Sequence, residues 1–141
     1  MDAPLREELV RIFAETNTIA VVGASGDPSK PAHSIPRYLQ QQGYRILPVN
    51  PRGGELLGEA AARSLAEIDR PVDVVEVFRP AVEAPQIARE AIKVGAKVLW
   101  LQLGIVSEEA KQVAEAAGLI VVMDLCMGEA HGGLGLGPGP D

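Results

Sequence analysis

The sequence predicts an α/β fold in which a five-stranded parallel sheet is covered by helices on both faces. Short apolar segments rich in β-branched residues alternate along the chain with amphipathic segments, a pattern typical of right-handed βαβ crossovers. The apolar segments are nearly continuous, as expected for parallel strands that are buried on both sides. The 141 residues fit one domain without internal repeats. We expect this domain to span residues 1–131 and a flexible Gly/Pro-rich tail to span 132–141.

Each element has a local signal. Leu5, Leu9 and Ile12 recur at helical spacing in the first helix, Gly43 ends the second helix, and Ser107 is a typical N-cap for the fourth. The predicted helices cover about residues 4–15, 31–42, 80–92 and 107–117. The predicted strands cover about residues 19–22, 44–49, 72–78, 97–101 and 119–123. Residues 55–70 are weakly patterned, with one short helix expected near 64–68.

The strongest functional signal lies at residues 19–31, where a buried strand meets a glycine turn and then a helix. The turn reads Gly23-Ala24-Ser25-Gly26, and the helix begins near Pro31. Glycine allows a close approach of phosphate to the backbone, and the N–H groups at a helix N-terminus attract anions. The pattern departs from the dinucleotide fingerprint G-x-G-x-x-G. The turn therefore predicts a nucleotide site of another kind.

Three cations follow three consecutive strands, at the edge of the sheet where ligands bind in open α/β folds. Lys30 follows the first strand, Arg52 the second and Arg79 the third. Any one of them, taken alone, is more often a solvated surface charge, but their placement at one edge favours an anion site. The chain as a whole has a net charge of −6, which argues against a nucleic acid or an anionic membrane as partner.

The end of the second strand discriminates between nucleotides. An NAD site places an acidic residue there to bind the ribose 2′-hydroxyl. This chain has Asn50-Pro51-Arg52 instead, so a neutral amide and a cation face the ribose. That combination favours a phosphorylated ribose, which both NADP and coenzyme A contain.

Five ordered blocks carry a family resemblance. They are Val21–Ser25, Asp27–Pro31, Pro48–Pro51, Val75–Arg79 and Leu99–Gly104. In this order and spacing they resemble the small stand-alone CoA-binding domain proteins, which are similar to the N-terminal CoA-binding domain of the succinyl-CoA synthetase α subunit and of ADP-forming acyl-CoA synthetases. The resemblance covers about residues 15–131. It implies a Rossmann-like three-layer sandwich that binds coenzyme A or an acyl-CoA, without catalysis of its own.

The resemblance also assigns roles to ten residues, none of them catalytic or metal-binding. Phosphate contacts are assigned to Gly23, Ala24, Ser25 and Lys30; the adenosine ribose is flanked by Asn50, Pro51 and Arg52; the adenine side is lined by Phe78 and Arg79; and the pantetheine arm or a pyrophosphate oxygen is met by Gln102. Core packing is an equal alternative for Phe78, and an ordinary loop hydrogen bond is an equal alternative for Gln102.

Several other residues invite a chemical role. Cys126 and His131 are too few to form a zinc site, which needs three or four ligands, and Cys126 is expected to be a small buried residue after the last strand. His33 lies near the glycine turn, where phosphate contact and solvent exposure are both open. Glu76 interrupts an apolar strand, which indicates either a partnered buried carboxylate or a strand at the edge of the sheet.

Two other functions remain as alternatives to CoA binding alone: an NADP-binding oxidoreductase-type domain, and a separate CoA-binding component of an acyl-CoA synthetase. The first lacks a second domain and an evident proton donor, and the second would need a partner chain with a phosphorylatable histidine. The single cysteine and the charged N-terminus predict a cytoplasmic protein without a signal peptide. A homodimer is the default expectation for a small α/β protein.

Overall fold

The computed structural model describes residues 1–140. The helices are α1 (Ala3–Glu15), α2 (Pro31–Gln41), α3 (Ala84–Lys93), α4 (Glu108–Ala116) and α5 (Met127–Gly133). The strands are β1 (Thr18–Val22), β2 (Arg45–Val49), β3 (Glu55–Leu56), β4 (Glu59–Ala60), β5 (Val74–Val77), β6 (Val98–Leu101) and β7 (Ile120–Val122). Single turns of 3₁₀ helix occupy Leu65–Glu67 and Ala81–Glu83. No helix among these residues is long and apolar enough to cross a membrane.

The main sheet has five parallel strands in the order β2-β1-β5-β6-β7, which confirms the predicted fold class. The chain runs from β1 outward to β2 and then returns across β1 to β5. The strand order therefore reverses between β1 and β5, and a crevice opens there at the carboxyl ends of the strands. Strands β3 and β4 form a separate short hairpin.

Alternate residues of the central strands point into two separate cores. Val75 faces the core that contains Ala110 of α4, together with residues of α3. Val74 faces the opposite core, which contains Leu9 of α1 and Met127 of α5 together with residues of α2. The sheet thus lies between two helical layers, and the predicted three-layer sandwich is confirmed.

Two elements were absent from the prediction, the β3–β4 hairpin and helix α5. Helix α5 contains three glycines, which disfavour helix formation, so only its packing stabilises it. A Cβ atom placed on Gly128 would lie 3.2 Å from the Ile35 side chain, and glycine therefore allows α5 to approach α2 closely.

The expected domain boundary at residue 131 lies inside α5. Leu134, just beyond the helix, is buried, and the Gly139 N–H donates a hydrogen bond to the Gln42 carbonyl. The packed part of the chain therefore extends past residue 131, and mobility of the residues that follow stays a prediction.

Candidate functional site

A cavity of about 710 Å³ lies at the point where the strand order reverses, between the loops that follow β1, β2 and β5. We call it the nucleotide cavity. Nine of the ten residues assigned from the sequence line it: Gly23, Ala24, Ser25, Lys30, Asn50, Pro51, Arg52, Phe78 and Arg79. The tenth, Gln102, lines an adjoining cavity of about 460 Å³. The topology therefore brings the predicted residues together at one edge of the sheet.

The glycine turn is held by hydrogen bonds within the protein. The N–H groups of Gly23 and Ala24 donate to the Val49 carbonyl at 3.0 and 3.3 Å, and the Ser25 N–H donates to the Ala32 carbonyl at 3.1 Å. These three donors are thus already engaged. Contact between this turn and a phosphate stays a prediction.

Two neighbouring N–H groups take their place as candidate anion donors. Within residues 1–140, the N–H groups of Gly26 and Ala32 donate to no protein acceptor, and both residues line the nucleotide cavity. Ala32 lies in the first turn of α2, where the helix leaves N–H groups unpaired and carries a partial positive charge. Lys30 precedes this helix. An anion between Gly26, Ala32 and Lys30 would meet two backbone donors and one ammonium group.

Gly23 has a conformation and a setting that only glycine accommodates. Its φ angle is +91°, and a Cβ atom would lie 3.0 Å from the Phe78 carbonyl oxygen and 2.9 Å from the Arg79 side chain. The absence of a side chain therefore keeps the loops after β1 and β5 in contact.

Asn50 and His33 fix the loops rather than lie free in the cavity. The Asn50 amide donates to the Ala24 carbonyl at 2.8 Å, and its oxygen accepts from the Arg52 N–H at 2.8 Å. The His33 Nδ1 donates to the Ser25 carbonyl at 2.8 Å, since a carbonyl can only accept. Asn50 therefore connects the glycine turn to the loop that carries Arg52, and His33 secures the turn from the side of α2.

The cations of the site differ in how far they are compensated. The Arg79 guanidinium makes two hydrogen bonds to the Glu83 carboxylate, at 2.7 and 3.1 Å. These bonds raise the pKa of Arg79 and lower that of Glu83. No carboxylate among residues 1–140 forms an ion pair with Lys30 or Arg52, and both of these side chains are exposed. Lys30 and Arg52 are accordingly the charges available to a ligand.

One acid lines this site, and one further cation lies beside its wall. Asp27 lines the nucleotide cavity and accepts hydrogen bonds from the Ser29 N–H and hydroxyl, at 2.9 and 2.7 Å, which lower its pKa. Its negative charge opposes an anionic ligand. Arg63 lies against Gly53 of the cavity wall, since a Cβ there would be 3.3 Å from the Arg63 Nε. Sequence reasoning missed Arg63 because the segment around it is weakly patterned.

Glu76 lies on β5, between β1 and β6, and is fully buried. The interpretation of its strand as a sheet edge is therefore wrong. The Gln102 amide donates to one Glu76 carboxyl oxygen, and the Met127 N–H at the start of α5 donates to the Gln102 oxygen at 3.2 Å. Burial raises the pKa of Glu76 to about 8, while the bond from Gln102 acts in the opposite direction. Near neutral pH this carboxyl is mainly protonated.

The remaining candidates have structural surroundings. Cys126 is buried as expected and lines the second cavity. His131 is buried against the rings of Phe13, Tyr38 and Tyr44, and its Nδ1 is 2.8 Å from the Tyr38 hydroxyl. Burial lowers the pKa of His131, which the Gly137 backbone opposes in part. Within residues 1–140, no three His, Cys, Asp or Glu side chains lie together as a metal would require.

Comparison with known proteins connects this site to a family. Residues 17–132 match the family described as the CoA binding domain. An uncharacterized protein of Bacillus subtilis, YneT, is 43% identical over 131 residues, which are 93% of this chain and 97% of that protein. A solved structure from Thermus thermophilus, described as cell-free ID.343, is 43% identical with a TM-score of 0.88 and covers 95% of this chain and 99% of that one.

A more distant relative is a large enzyme subunit. The α subunit of the ADP-forming acetate–CoA ligase I of Pyrococcus furiosus is 34% identical over 107 residues, which are 70% of this chain. The matched region spans only 23% of that subunit. The similarity to the ligase therefore concerns one part of it.

Proposed function

The chain belongs to the CoA binding domain family, and on that premise we propose that it binds coenzyme A or an acyl-CoA in the nucleotide cavity, without catalysis of its own. The observation that carries the proposal is the meeting of loops from three strands at the crevice between β1 and β5. Lys30 and Arg52 provide positive charge there and form no ion pair within residues 1–140, although the Asp27 carboxylate lines the same cavity. The chain as a whole has a net charge of −6. Positive charge confined to this cavity therefore favours a small phosphorylated ligand over a large polyanion such as a nucleic acid.

The contacts support a specific orientation of the ligand. The pyrophosphate lies at the N-terminus of α2, where the N–H groups of Gly26 and Ala32 and the Lys30 ammonium face the cavity. The adenosine ribose and its 3′-phosphate lie beside Arg52, and the adenine contacts Phe78, which is half-buried at the carboxyl end of β5. The Arg79 side chain borders this end of the cavity while it pairs with Glu83. The pantetheine arm then extends toward Gln102.

The proposal is tested by ligand-induced thermal stabilisation. CoA, acetyl-CoA, NAD and NADP are compared at equal concentration. A ligand present at about 100 times its dissociation constant adds roughly 2.7 kcal/mol of stability, which raises the Tm of a domain of this size by several degrees. We expect CoA or acetyl-CoA to raise the Tm and the two dinucleotides to leave it nearly unchanged. Stabilisation by NADP alone would contradict the proposal and favour an oxidoreductase-type domain.

The likeness to the ligase α subunit favours one second candidate, a separate CoA-binding component of an acyl-CoA synthetase. The absence of catalysis by the chain itself is tested by incubating the purified chain with acetyl-CoA, ADP and phosphate and measuring ATP. We expect no ATP from this chain alone, because it matches only 23% of the ligase subunit. ATP formed by the pure chain would overturn the non-catalytic assignment.

A further inference from the structure

We propose that the preferred ligand is an acyl-CoA with a short, uncharged, apolar acyl group, and that the second cavity holds this group. The inference rests on the proposed function and narrows it. We call the second cavity, of about 460 Å³, the acyl cavity. It is lined by Lys30, Pro31, Ala32, Ile35, Phe78, Gln102, Leu103, Ile105, Cys126 and Glu129.

The acyl cavity is continuous with the nucleotide cavity. Lys30, Ala32 and Phe78 line both of them. A ligand whose phosphates lie near Lys30 and Ala32 can therefore extend past Phe78 into the second cavity. In a CoA thioester, the pantetheine arm and then the acyl group follow the pyrophosphate in that direction.

The side chains around the acyl cavity suit hydrocarbon better than polar groups. Most of the wall consists of aliphatic, aromatic and sulfur-containing side chains, among them Ile35, Ile105 and Cys126. The buried polar side chain is Gln102, and its amide nitrogen and oxygen are already bonded to Glu76 and to the Met127 N–H. Most of the wall thus offers no hydrogen-bonding side chain to a ligand, which matches an apolar acyl chain.

The rim of the acyl cavity exposes apolar side chains on a fixed turn. Leu103 is 65% exposed and Val106, which follows the cavity wall in the chain, is 49% exposed. The turn is secured by the Gly104 N–H, which donates to the Asp124 carboxylate at 2.7 Å, and by the Ile105 N–H, which donates to a backbone carbonyl at 2.9 Å. Apolar surface in a preformed turn becomes buried when an alkyl group covers it, and this burial favours binding.

The charges of the acyl cavity discriminate between acyl groups. Glu129 is exposed on its wall, and Lys30, the one cation of the lining, lies at the boundary with the nucleotide cavity. A carboxylate at the end of an acyl chain would meet the negative charge of Glu129 without a cation of its own. Succinyl-CoA is therefore expected to bind more weakly than butyryl-CoA, whose chain has the same length of four carbons.

The test measures dissociation constants by calorimetry for CoA and for acetyl-, butyryl- and succinyl-CoA. Each methylene group that becomes buried strengthens binding roughly fourfold, so butyryl-CoA, with two more methylenes, should bind about sixteenfold more tightly than acetyl-CoA. Leu103→Asp should remove most of this gain while the affinity for CoA changes less. Val10→Asp is the matched control, because Val10 is also an exposed aliphatic side chain (37% exposed) and lies on α1, outside both cavities. Glu129→Gln should narrow the gap between succinyl- and butyryl-CoA.

The outcomes separate this inference from the function on which it rests. Binding of none of the four ligands would overturn the proposed function itself. Equal affinity for CoA and all three acyl-CoAs would leave CoA binding intact and overturn the acyl cavity. A preference for succinyl-CoA would contradict the predicted discrimination, and a gain for butyryl-CoA that survives Leu103→Asp would place the acyl group elsewhere.

Discussion

Gly23 and Arg52 are the residues whose single roles in the nucleotide cavity can be tested most directly. Gly23 allows the loops after β1 and β5 to touch, and Arg52 presents a charge that no carboxylate among residues 1–140 pairs with. Gly23 therefore determines the shape of the nucleotide cavity, and Arg52 contributes positive charge to it. Each role leads to a prediction with its own control.

Gly23→Ala should weaken CoA binding strongly. The new Cβ would lie 3.0 Å from the Phe78 carbonyl oxygen at a φ of +91°, so the loop must move and the cavity changes shape. Gly118→Ala is the matched control, because Gly118 has the same φ of +91° but nothing within 4 Å of its Cβ position. Both variants should lose about 1–2 kcal/mol of stability from backbone strain, measured by denaturant unfolding, and only Gly23→Ala should lose ligand affinity. Normal CoA binding by Gly23→Ala would move the site elsewhere.

Arg52→Ala should remove the preference for the 3′-phosphate of CoA. A charge-assisted contact with phosphate contributes about 1.5–3 kcal/mol, roughly ten- to hundredfold in affinity. The wild-type chain should therefore bind CoA more tightly than 3′-dephospho-CoA, and Arg52→Ala should bind the two alike.

This comparison needs four dissociation constants, those of the wild type and of Arg52→Ala for CoA and for 3′-dephospho-CoA. Calorimetry at one salt concentration measures all four. Arg70→Ala is the control, since Arg70 is also exposed but lies outside both cavities. Arg63→Ala shows whether the neighbouring Arg63 guanidinium also contributes to the binding of the 3′-phosphate. Equal weakening of both ligands by Arg52→Ala would instead place Arg52 at the pyrophosphate or assign it to folding.

At the scale of elements, Glu76 and Gln102 connect β5 and β6 to the start of α5. Glu76 belongs to a central strand, Gln102 follows β6 directly, and Met127 begins α5. The chain of hydrogen bonds from Met127 through Gln102 to Glu76 thus joins three elements beneath the acyl cavity. An ionised carboxyl in this position would be desolvated, whereas the hydrogen bond from Gln102 favours the ionised form.

Glu76 should make the stability of the protein fall as the pH rises. Its pKa is raised from 4.5 to about 8 in the folded chain, so the folded state binds more protons than the unfolded state between these values. The free energy of unfolding then decreases with rising pH across that range, by an amount of order a few kcal/mol. Glu76→Gln removes the titrating group and keeps a side chain of similar size.

Urea unfolding of both proteins between pH 5 and 8.5 measures this dependence. The difference in stability between Glu76→Gln and the wild type should shift in favour of the variant as the pH rises. Glu129→Gln, at an exposed carboxylate, is the control and should show no such trend. A difference that stays constant with pH would mean that Glu76 is ionised in the folded protein at all these values.

At the scale of the whole molecule, the fold was predictable because its signals are periodic and redundant. Apolar strands, amphipathic helices and their order determine a parallel sheet. The rule that ligands bind at the carboxyl edge, together with the family resemblance, predicted the nine residues that line one cavity. The unpredicted features depend on tertiary contact alone. Helix α5 is stabilised by packing against α2 rather than by its glycine-rich sequence, and the engagement of the Gly23 N–H with Val49 follows from the positions of two strands.

Within the site, the features that the sequence did not predict likewise depend on tertiary contacts. The donors Gly26 and Ala32 became recognisable only once the hydrogen bonds of the turn were known. Arg63 reaches Gly53 through the weakly patterned segment that contains the β3–β4 hairpin. The role of Asn50 as a connection between two loops likewise needs coordinates, because an asparagine after a strand has the same sequence signal whether it contacts a ribose or a backbone.

The C-terminal segment and the proposed ligand site lie at opposite ends of the sheet. The residues after Leu134 pack near Tyr44 and Gly43, at the amino end of β2, whereas the nucleotide cavity lies at the carboxyl ends of the strands. A chain that ends after Leu134 should therefore lose a few degrees of Tm at most and bind CoA with unchanged affinity, as measured by thermal unfolding and calorimetry. A chain that ends after Cys126 lacks α5, exposes the buried Trp100 and leaves Gln102 without its partner Met127, so it should unfold or bind weakly. Loss of CoA affinity in the longer variant, with the fold intact, would show that the C-terminal segment reaches the ligand and that the two ends of the sheet are coupled.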